Sequence, residues 1–362
     1  MPRRDNLICL MGRRVVDVWH SSNLPRMGSR MTGFARLLVS AATAALLAAP
    51  AFAADVTLRI HTLVQSPHPY NDIADYMKEQ LEAQSDGRIE VRVFNAGQLG
   101  QDPAVMSEMS LGTIDLMVST TSNAVQQVPE YAIFTMPYIF DSMDKMKAVL
   151  APDQPIFEHF EQVYEERGLG LKLLALGASG TRNVATDGVA VNGPGDLKGL
   201  KMRTPPTPMD AAVWSALEML PVTVSWGELY AAMQTGVAQA MESSLPGYDG
   251  SKLYEVAPNL ALTGHTIQVN HTSMSQVSWD RLPEDLRKLV WDVAQDANHH
   301  GIDMAKKYDS ELVDGLVSEH DVAVTRPDKQ AFIAILEPVQ EQLAQDLDLV
   351  EEYQIIKSAA SD

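Results

Sequence analysis

The chain has 362 residues, 47 Asp and Glu against 28 Lys and Arg, a formal net charge of −19 and one cysteine. An acidic excess of this size argues against nucleic acid and against anionic membrane surfaces as partners. A single cysteine, Cys9, excludes an internal disulfide framework and a multi-cysteine metal site.

The N-terminal stretch reads as an export signal. Residues 30–36 are basic, Leu37 to Ala49 is an apolar, Ala-rich run closed by Pro50, and Ala51-Phe52-Ala53 fits a small-x-small cleavage site. The apolar run is too short for a membrane span, which needs about 20 residues. Residues 1–53 are therefore expected to be a leader, with a mature start at Ala54 or Asp55. Residues 1–30 read as neither fold nor signal, and Met27 and Met31 are alternative starts. Arg13-Arg14 lies too far from the apolar run for a twin-arginine signal. The leader holds 7 of the 28 basic and 2 of the 47 acidic residues and the only cysteine. The mature chain keeps 21 basic and 45 acidic residues, a net charge of −24, and must be held together by its hydrophobic core.

Val56, Leu58 and Ile60 alternate with Thr57, Arg59 and His61, which predicts a strand. Asn71 can cap a helix whose Ile73, Met77 and Leu81 share a face. Ile89, Val91 and Val93 predict a second strand, residues 103–111 a helix, and Ile114 to Val118 a third strand. Strand and helix in alternation imply parallel pairing in an α/β domain. Helices are predicted over 143–150 and 156–167, and a strand over 171–176. Small residues from Ala178 to Thr181 mark a crossover to a second block. This has strands at 200–203, 222–224 and 237–241, with helices carrying Met209, Val213 and Leu217 and spanning 226–234. Residues 260–277 read as extended, crossing back between domains. Pro283 is placed as the first residue of a helix running to about Leu316, long enough to bridge two domains.

In open α/β sheets, ligands bind beyond the carboxyl ends of the strands. Arg203 stands at such an end, in Asp196-Leu-Lys-Gly-Leu-Lys-Met-Arg-Thr-Pro-Pro206, where prolines stop regular pairing. A fixed cation on an exported acidic protein points to capture of a small anion, since a guanidinium makes two parallel hydrogen bonds to a carboxylate. Ser119, Thr120, Thr121 and Ser122 form a hydroxyl run at another strand end, suited to a hydroxylated ligand or to the turn itself.

Several ordered blocks resemble the periplasmic solute-binding proteins of TRAP transporters. They are Gly87-Arg-Ile-Glu-Val-Arg-Val-Phe with Gln98-Leu-Gly; Gly112-Thr-Ile-Asp115; Met136-Pro-Tyr-Ile-Phe-Asp141; Gly180-Thr-Arg182; the segment around Arg203; Gly227-Glu-Leu-Tyr-Ala-Ala-Met-Gln-Thr-Gly236; Lys252-Leu-Tyr-Glu-Val256; and Leu282-Pro-Glu-Asp-Leu286. The resemblance implies an α/β, two-domain, Venus-flytrap architecture with domain-crossing segments and a long spanning helix. It sets domain I at 54–179 plus 269–308 and domain II at 180–268 plus 309–362. It also implies a periplasmic, non-enzymatic protein without cofactor, which grips an organic acid and delivers it to the small and large integral-membrane subunits of a carrier.

Residue by residue, the resemblance makes Arg203 the partner of a ligand carboxylate and Arg182 a second arginine near the crossover. Trp226 lines the pocket, and Asp102 accepts ligand hydroxyls or caps its helix. Ser243 replaces an asparagine that often bonds the carboxylate, in Gln239-Ala-Met-Glu-Ser-Ser244 where relatives carry Asp-Gly-Gln-Glu-Asn-Pro. Thr120 and Leu63 stand where sialic-acid binders carry glutamate and asparagine, which argues against sialic acid. Ser119, Glu242, Asn270 and His61 complete the candidate contacts, with His68 and His271 nearby. The ligand class expected is a sugar acid, a hydroxy acid or a C4-type dicarboxylate. A binding protein serving a sensor receptor is one alternative. An exported hydrolase or lyase is another, for which Glu242 and Asp102 are the carboxylates on offer. No metal motif appears: His299 and His300 are adjacent and point roughly 100° apart on a helix.

Overall fold

A computed structural model describes residues 54–361; the leader lies outside the described residues. The first block is β1 (Val56–His61), α1 (Pro69–Gln84), β2 (Ile89–Phe94), α2 (Asp102–Ser110) and β3 (Leu116–Thr120). β1 pairs in parallel with β2 on one side and β3 on the other. The alternation of β1 buries Leu58 and Ile60 among Ile73, Met77 and Leu81 of α1. The helix starts earlier than predicted. His68 is its cap, accepting from the Tyr70 N–H, and Pro69 opens the first turn. Asn71 instead ties down the loop after β1: its side chain accepts from Thr62 Oγ1 at 2.5 Å and donates to Ser66 Oγ at 3.0 Å.

Next come α3 (Thr121–Ala124), α4 (Met143–Val149), α5 (Pro155–Glu166) and β4 (Leu171–Thr186). β4 does not end at Leu176 as predicted but runs through the crossover. The small residues allow it, with register shifts between Ala178 and Thr181 against its neighbour. Gly180 has φ +118°, and a Cβ there would lie 3.0 Å from Ser244 Cβ, so the bend requires glycine.

The second block is β5 (Lys201–Thr204), α6 (Pro208–Ala216), β6 (Leu220–Thr223), α7 (Leu229–Gln234), β7 (Ala240–Ser244) and α8 (Leu245–Gly250). β5 lies between β6 and β7, parallel to both. β7 starts later than predicted: after the turn at Gly236, at φ +73°, the Ala238 N–H still donates to Ala232 O of α7. Trp226 opens a 3-10 turn rather than α7 itself.

β8 (Asn259–Ser275), α9 (Gln276–Arg281), α10 (Glu284–His320), β9 (Ala323–Thr325), α11 (Lys329–Leu336), α12 (Gln340–Asp346) and α13 (Val350–Ser361) complete the chain. One sheet results, in the order β2-β1-β3-β8-β4-β7-β5-β6, with β9 on β8. β3 pairs with the second half of β8, and β7 with the second half of β4, so the two long strands join both blocks. α10 has 37 residues, about 55 Å at the helical rise. Pro283 is its cap rather than its first residue. Asn298 on α10 donates to Leu176 O at 2.7 Å, and Asp309 accepts from the Thr181 N–H at 2.9 Å, so the helix grips β4 on both sides of the crossover.

The last two helices make contacts with the first block. Leu349 and Ile356 share a core with Phe157 and Phe160 of α5. Gln340 donates to Pro137 O at 2.7 Å, and His159 Nε2 lies 2.8 Å from Glu352 Oε1. α12 and α13 thus return to the first block.

Candidate functional site

The parallel strands of both blocks point their carboxyl ends at one small, partly open cavity. Leu63 and Val64 follow β1; Thr120, Ser122 and Asn123 end β3; Arg203 and Pro205 end β5; Ser243, Ser244 and Gly247 end β7. The crossing strands add Arg182 from β4 and Gln268 from β8, and α1 adds His68 and Tyr70. Trp226 closes the remaining side.

Arg203 is 1% exposed. Its Nε donates to Val224 O at 2.9 Å, which aims the fork, and its guanidinium carbon sits 5.8 Å from the centre of the Trp226 ring. Among the described residues no carboxylate lies within ion-pair distance of it. Burial pushes its pKa down to about 10, against the opposing pull of Glu242, so it stays charged at neutral pH. A buried cation without a counter-charge is costly unless an anion joins it.

Arg182 is in the opposite condition. It makes a two-point pair with Glu242, Nε to Oε2 and Nη2 to Oε1 at 2.6 Å, and Nη2 also donates to Glu242 O at 3.2 Å. Burial works against the Glu242 charge, yet Arg182 and the neighbouring His265 outweigh it and hold its pKa well below the usual carboxylate range. Asp210, buried nearby beside Thr207, is pushed up, by burial first and then by Glu242.

Asp102 accepts at both oxygens: His61 Nε2 lies 3.0 Å from Oδ1, while Ser119 Oγ and Asn123 Nδ2, the latter at 2.6 Å, reach Oδ2. Serine, aspartate and histidine meet here in the wrong order for nucleophilic catalysis. The histidine must stand between the other two to take the serine proton, and here the aspartate does. Ser119 and His61 are also off the cavity.

Of the ten predicted contacts, Arg203, Arg182, Trp226, Ser243, Asp102 and Thr120 line the cavity. Ser119, His61, Glu242 and Asn270 do not; all four are buried behind it. The first two bind Asp102 and the third binds Arg182, while Asn270 pairs with Thr120 in the sheet and turns its amide toward Asn298 at 3.5 Å. His271 stacks on Tyr131 in the core. Tyr70, Asn123, Gln268 and Gly247 line the cavity beyond the predicted set. Asn123 had a signal, following the hydroxyl run at a strand end. Gln268, in the middle of a long strand, had none. Among the described residues no cluster of His, Cys, Asp and Glu is placed to hold a metal ion, and no helix is long and apolar enough to cross a membrane.

Residues 60–346 match the model of the bacterial extracellular solute-binding proteins, family 7. A solute-binding protein of Sulfitobacter sp. is 28% identical over 328 residues, covering 89% of this chain and 98% of its own. A solute-binding protein of Verminephrobacter eiseniae is 30% identical over 291 residues, 80% of this chain and 85% of its own. A solved TRAP periplasmic solute-binding protein from Bradyrhizobium sp., in complex with α/β-D-galacturonate, is similar with a TM-score of 0.76 and 27% identity, over 84% of this chain and 100% of that one.

Proposed function

The chain belongs to family 7 of the bacterial extracellular solute-binding proteins, and from that premise we propose that it captures a small carboxylate-bearing molecule and hands it to a membrane carrier of the TRAP type. The observation that carries this reading is Arg203: a buried, charged fork facing a cavity, with no carboxylate of the protein beside it. Ser243 stands near the same end with a hydroxyl, and Trp226 offers its ring to a carbon skeleton. The galacturonate bound by the Bradyrhizobium protein supports a sugar acid or hydroxy acid as the ligand class.

The ligand sits between two lobes. We assign residues 54–179 and 269–308 to one and 180–268 with the start of the C-terminal region to the other, with α12 and α13 returning to the first. The register shifts of β4 near Gly180 support a division there. Export by the 1–53 leader and residence in the periplasm accord with the family, as does binding without chemistry. Small and large membrane subunits are the expected receivers.

Calorimetric titration of the processed protein with hexuronates, aldonates and short hydroxy acids tests the reading, with recovery of the acid unchanged after incubation. Saturable binding that disappears in Arg203→Ala is expected. Binding undiminished in that variant, or conversion of the acid, would sink it.

A further inference from the structure

We infer that the cavity selects a monocarboxylate with a neutral, hydroxylated tail over the matching dicarboxylate, and that Asp102 is the residue that sets this preference. The inference rests on the carboxylate-binding reading above and narrows it.

The first support is a count of charges. Arg182 and Arg203 are the only Lys or Arg side chains among the described residues lining the cavity. Glu242 already neutralises Arg182 through two contacts. The donor capacity left on Arg182 suits a hydroxyl or a shared oxygen, because a further anion placed there would also meet Glu242. His68 supplies no cation. Burial, with Arg182 assisting, holds its pKa down to about 3. Its Nδ1 accepts from the Tyr70 N–H at 3.2 Å, so the remaining ring nitrogen is a neutral N–H donor. Among the described residues, Arg203 is the one cation of the wall without a carboxylate in contact, and one ligand carboxylate satisfies it.

The second support is the direction of the polar groups elsewhere on the wall. Asn123 donates one amide N–H to Asp102, which leaves Oδ1 as an acceptor beside one further N–H. Gln268 donates one amide N–H to the Tyr70 hydroxyl at 2.7 Å, which leaves Oε1 as an acceptor beside one further N–H. Both residues line the cavity, as does the Asp102 carboxylate that fixes the first of them. Amides that offer both an acceptor and a donor suit a hydroxyl, which gives and takes a hydrogen bond, and the Asp102 carboxylate takes only a donor. A second ligand carboxylate has no proton to give at neutral pH, and it would face Asp102 with no cation between them. His61, held on the far side of Asp102, has no place on the wall to intervene.

The test is calorimetric titration at neutral pH with matched pairs on one carbon skeleton: glycerate and tartronate, erythronate and tartrate, galactonate and galactarate, with galactitol as the uncharged member. In every pair that shows binding, the monoacid is expected to bind at least roughly tenfold more tightly than its diacid, the scale of one uncompensated like-charge contact, and galactitol not at all. Asp102→Asn keeps the shape and removes the charge, so it should narrow that ratio several-fold. A diacid that binds as tightly as its monoacid overturns the inference and leaves the Arg203 clamp standing. An unchanged ratio in Asp102→Asn overturns the part given to Asp102. Absence of binding by every acid in both sets sinks the carboxylate reading itself, and this inference with it.

Discussion

Arg182 and Glu242 lie on adjacent antiparallel strands and close a two-point ion pair across them, with Nη2 and Oε1 2.6 Å apart. The pair sits where β4 crosses between the two blocks, so a charge contact that looks like part of the ligand clamp also joins the strand that links them. Glu242→Gln leaves Arg182 buried with half its partner gone. Removing one member of a buried pair costs about 3–5 kcal/mol, and the neutral isostere should fall near the lower end, read as a drop in the urea midpoint without a change in slope. Unaltered stability would mean the pair contributes nothing net.

Arg203 should behave in the reverse way. Among the described residues its guanidinium has no carboxylate in contact with it, so Arg203→Met removes a desolvated cation and refills the space. The ligand-free variant is expected to melt at the wild-type temperature or above, because replacing buried charge by apolar volume is often neutral or stabilising. Its affinity for the acid should fall roughly tenfold or more, the cost of a lost charge-assisted hydrogen bond being about 1.5–3 kcal/mol. Arg203→Lys should lose affinity too, since a point charge cannot reproduce the fork. A variant that loses stability and keeps affinity would make Arg203 structural.

Gly247 ties the packing of the second block to the wall of the site. It lies within α8, where alanine is a better helix former, but its Cβ would stand 2.7 Å from Ser243 Oγ and 3.3 Å from the Trp226 ring. Gly247→Ala should lose up to about 1–3 kcal/mol of stability to overpacking, and it should bind more weakly because the Ser243 hydroxyl and the Trp226 ring must shift to admit the methyl. Calorimetry beside a melting curve decides it; retained affinity would show that the ligand does not approach this wall.

The parts of the fold legible in the sequence are those with one buried face. β1 alternates because its other face is half covered, and α1 shows Ile73, Met77 and Leu81 because only one stripe packs. β4 and β8 are buried on both faces for most of their length, and they use small and polar residues such as Ser179, Thr263 and Ser273. Neither has a period to find; β8 is still legible as an extended stretch over 260–277, whereas the run of β4 beyond Leu176 emerges only with its partners. The site divides in the same way. Arg203 announces itself by standing at a strand end before two prolines. Gln268 and Tyr70 reach the cavity only because β8 and α1 are brought together from 198 residues apart.

The buried histidines set the response to acid. Burial pushes His68 down to about 3 and His271 to about 4, and it also lowers His265. In the unfolded chain they titrate near 6.5, so below that pH the unfolded state binds protons that the native state refuses. Their contribution to stability therefore falls as pH drops from about 6.5 toward 4, by up to about 1.4 kcal/mol per pH unit for each of His68 and His271, while Asp210, raised by burial to about 7, contributes in the opposite sense over the same window. His159 runs the same way as Asp210. Its bond to Glu352 raises its pKa, so its contribution is present below 6.5 and is lost as pH rises through the folded value. Glu242, depressed by Arg182, keeps its contribution until pH falls well below the usual carboxylate range. Urea unfolding at pH 7 and pH 5 should show the loss, and His271→Gln should remove close to one proton's worth of the slope. An equal slope in that variant would mean that His271 is protonated in the native protein, against the burial that holds it neutral.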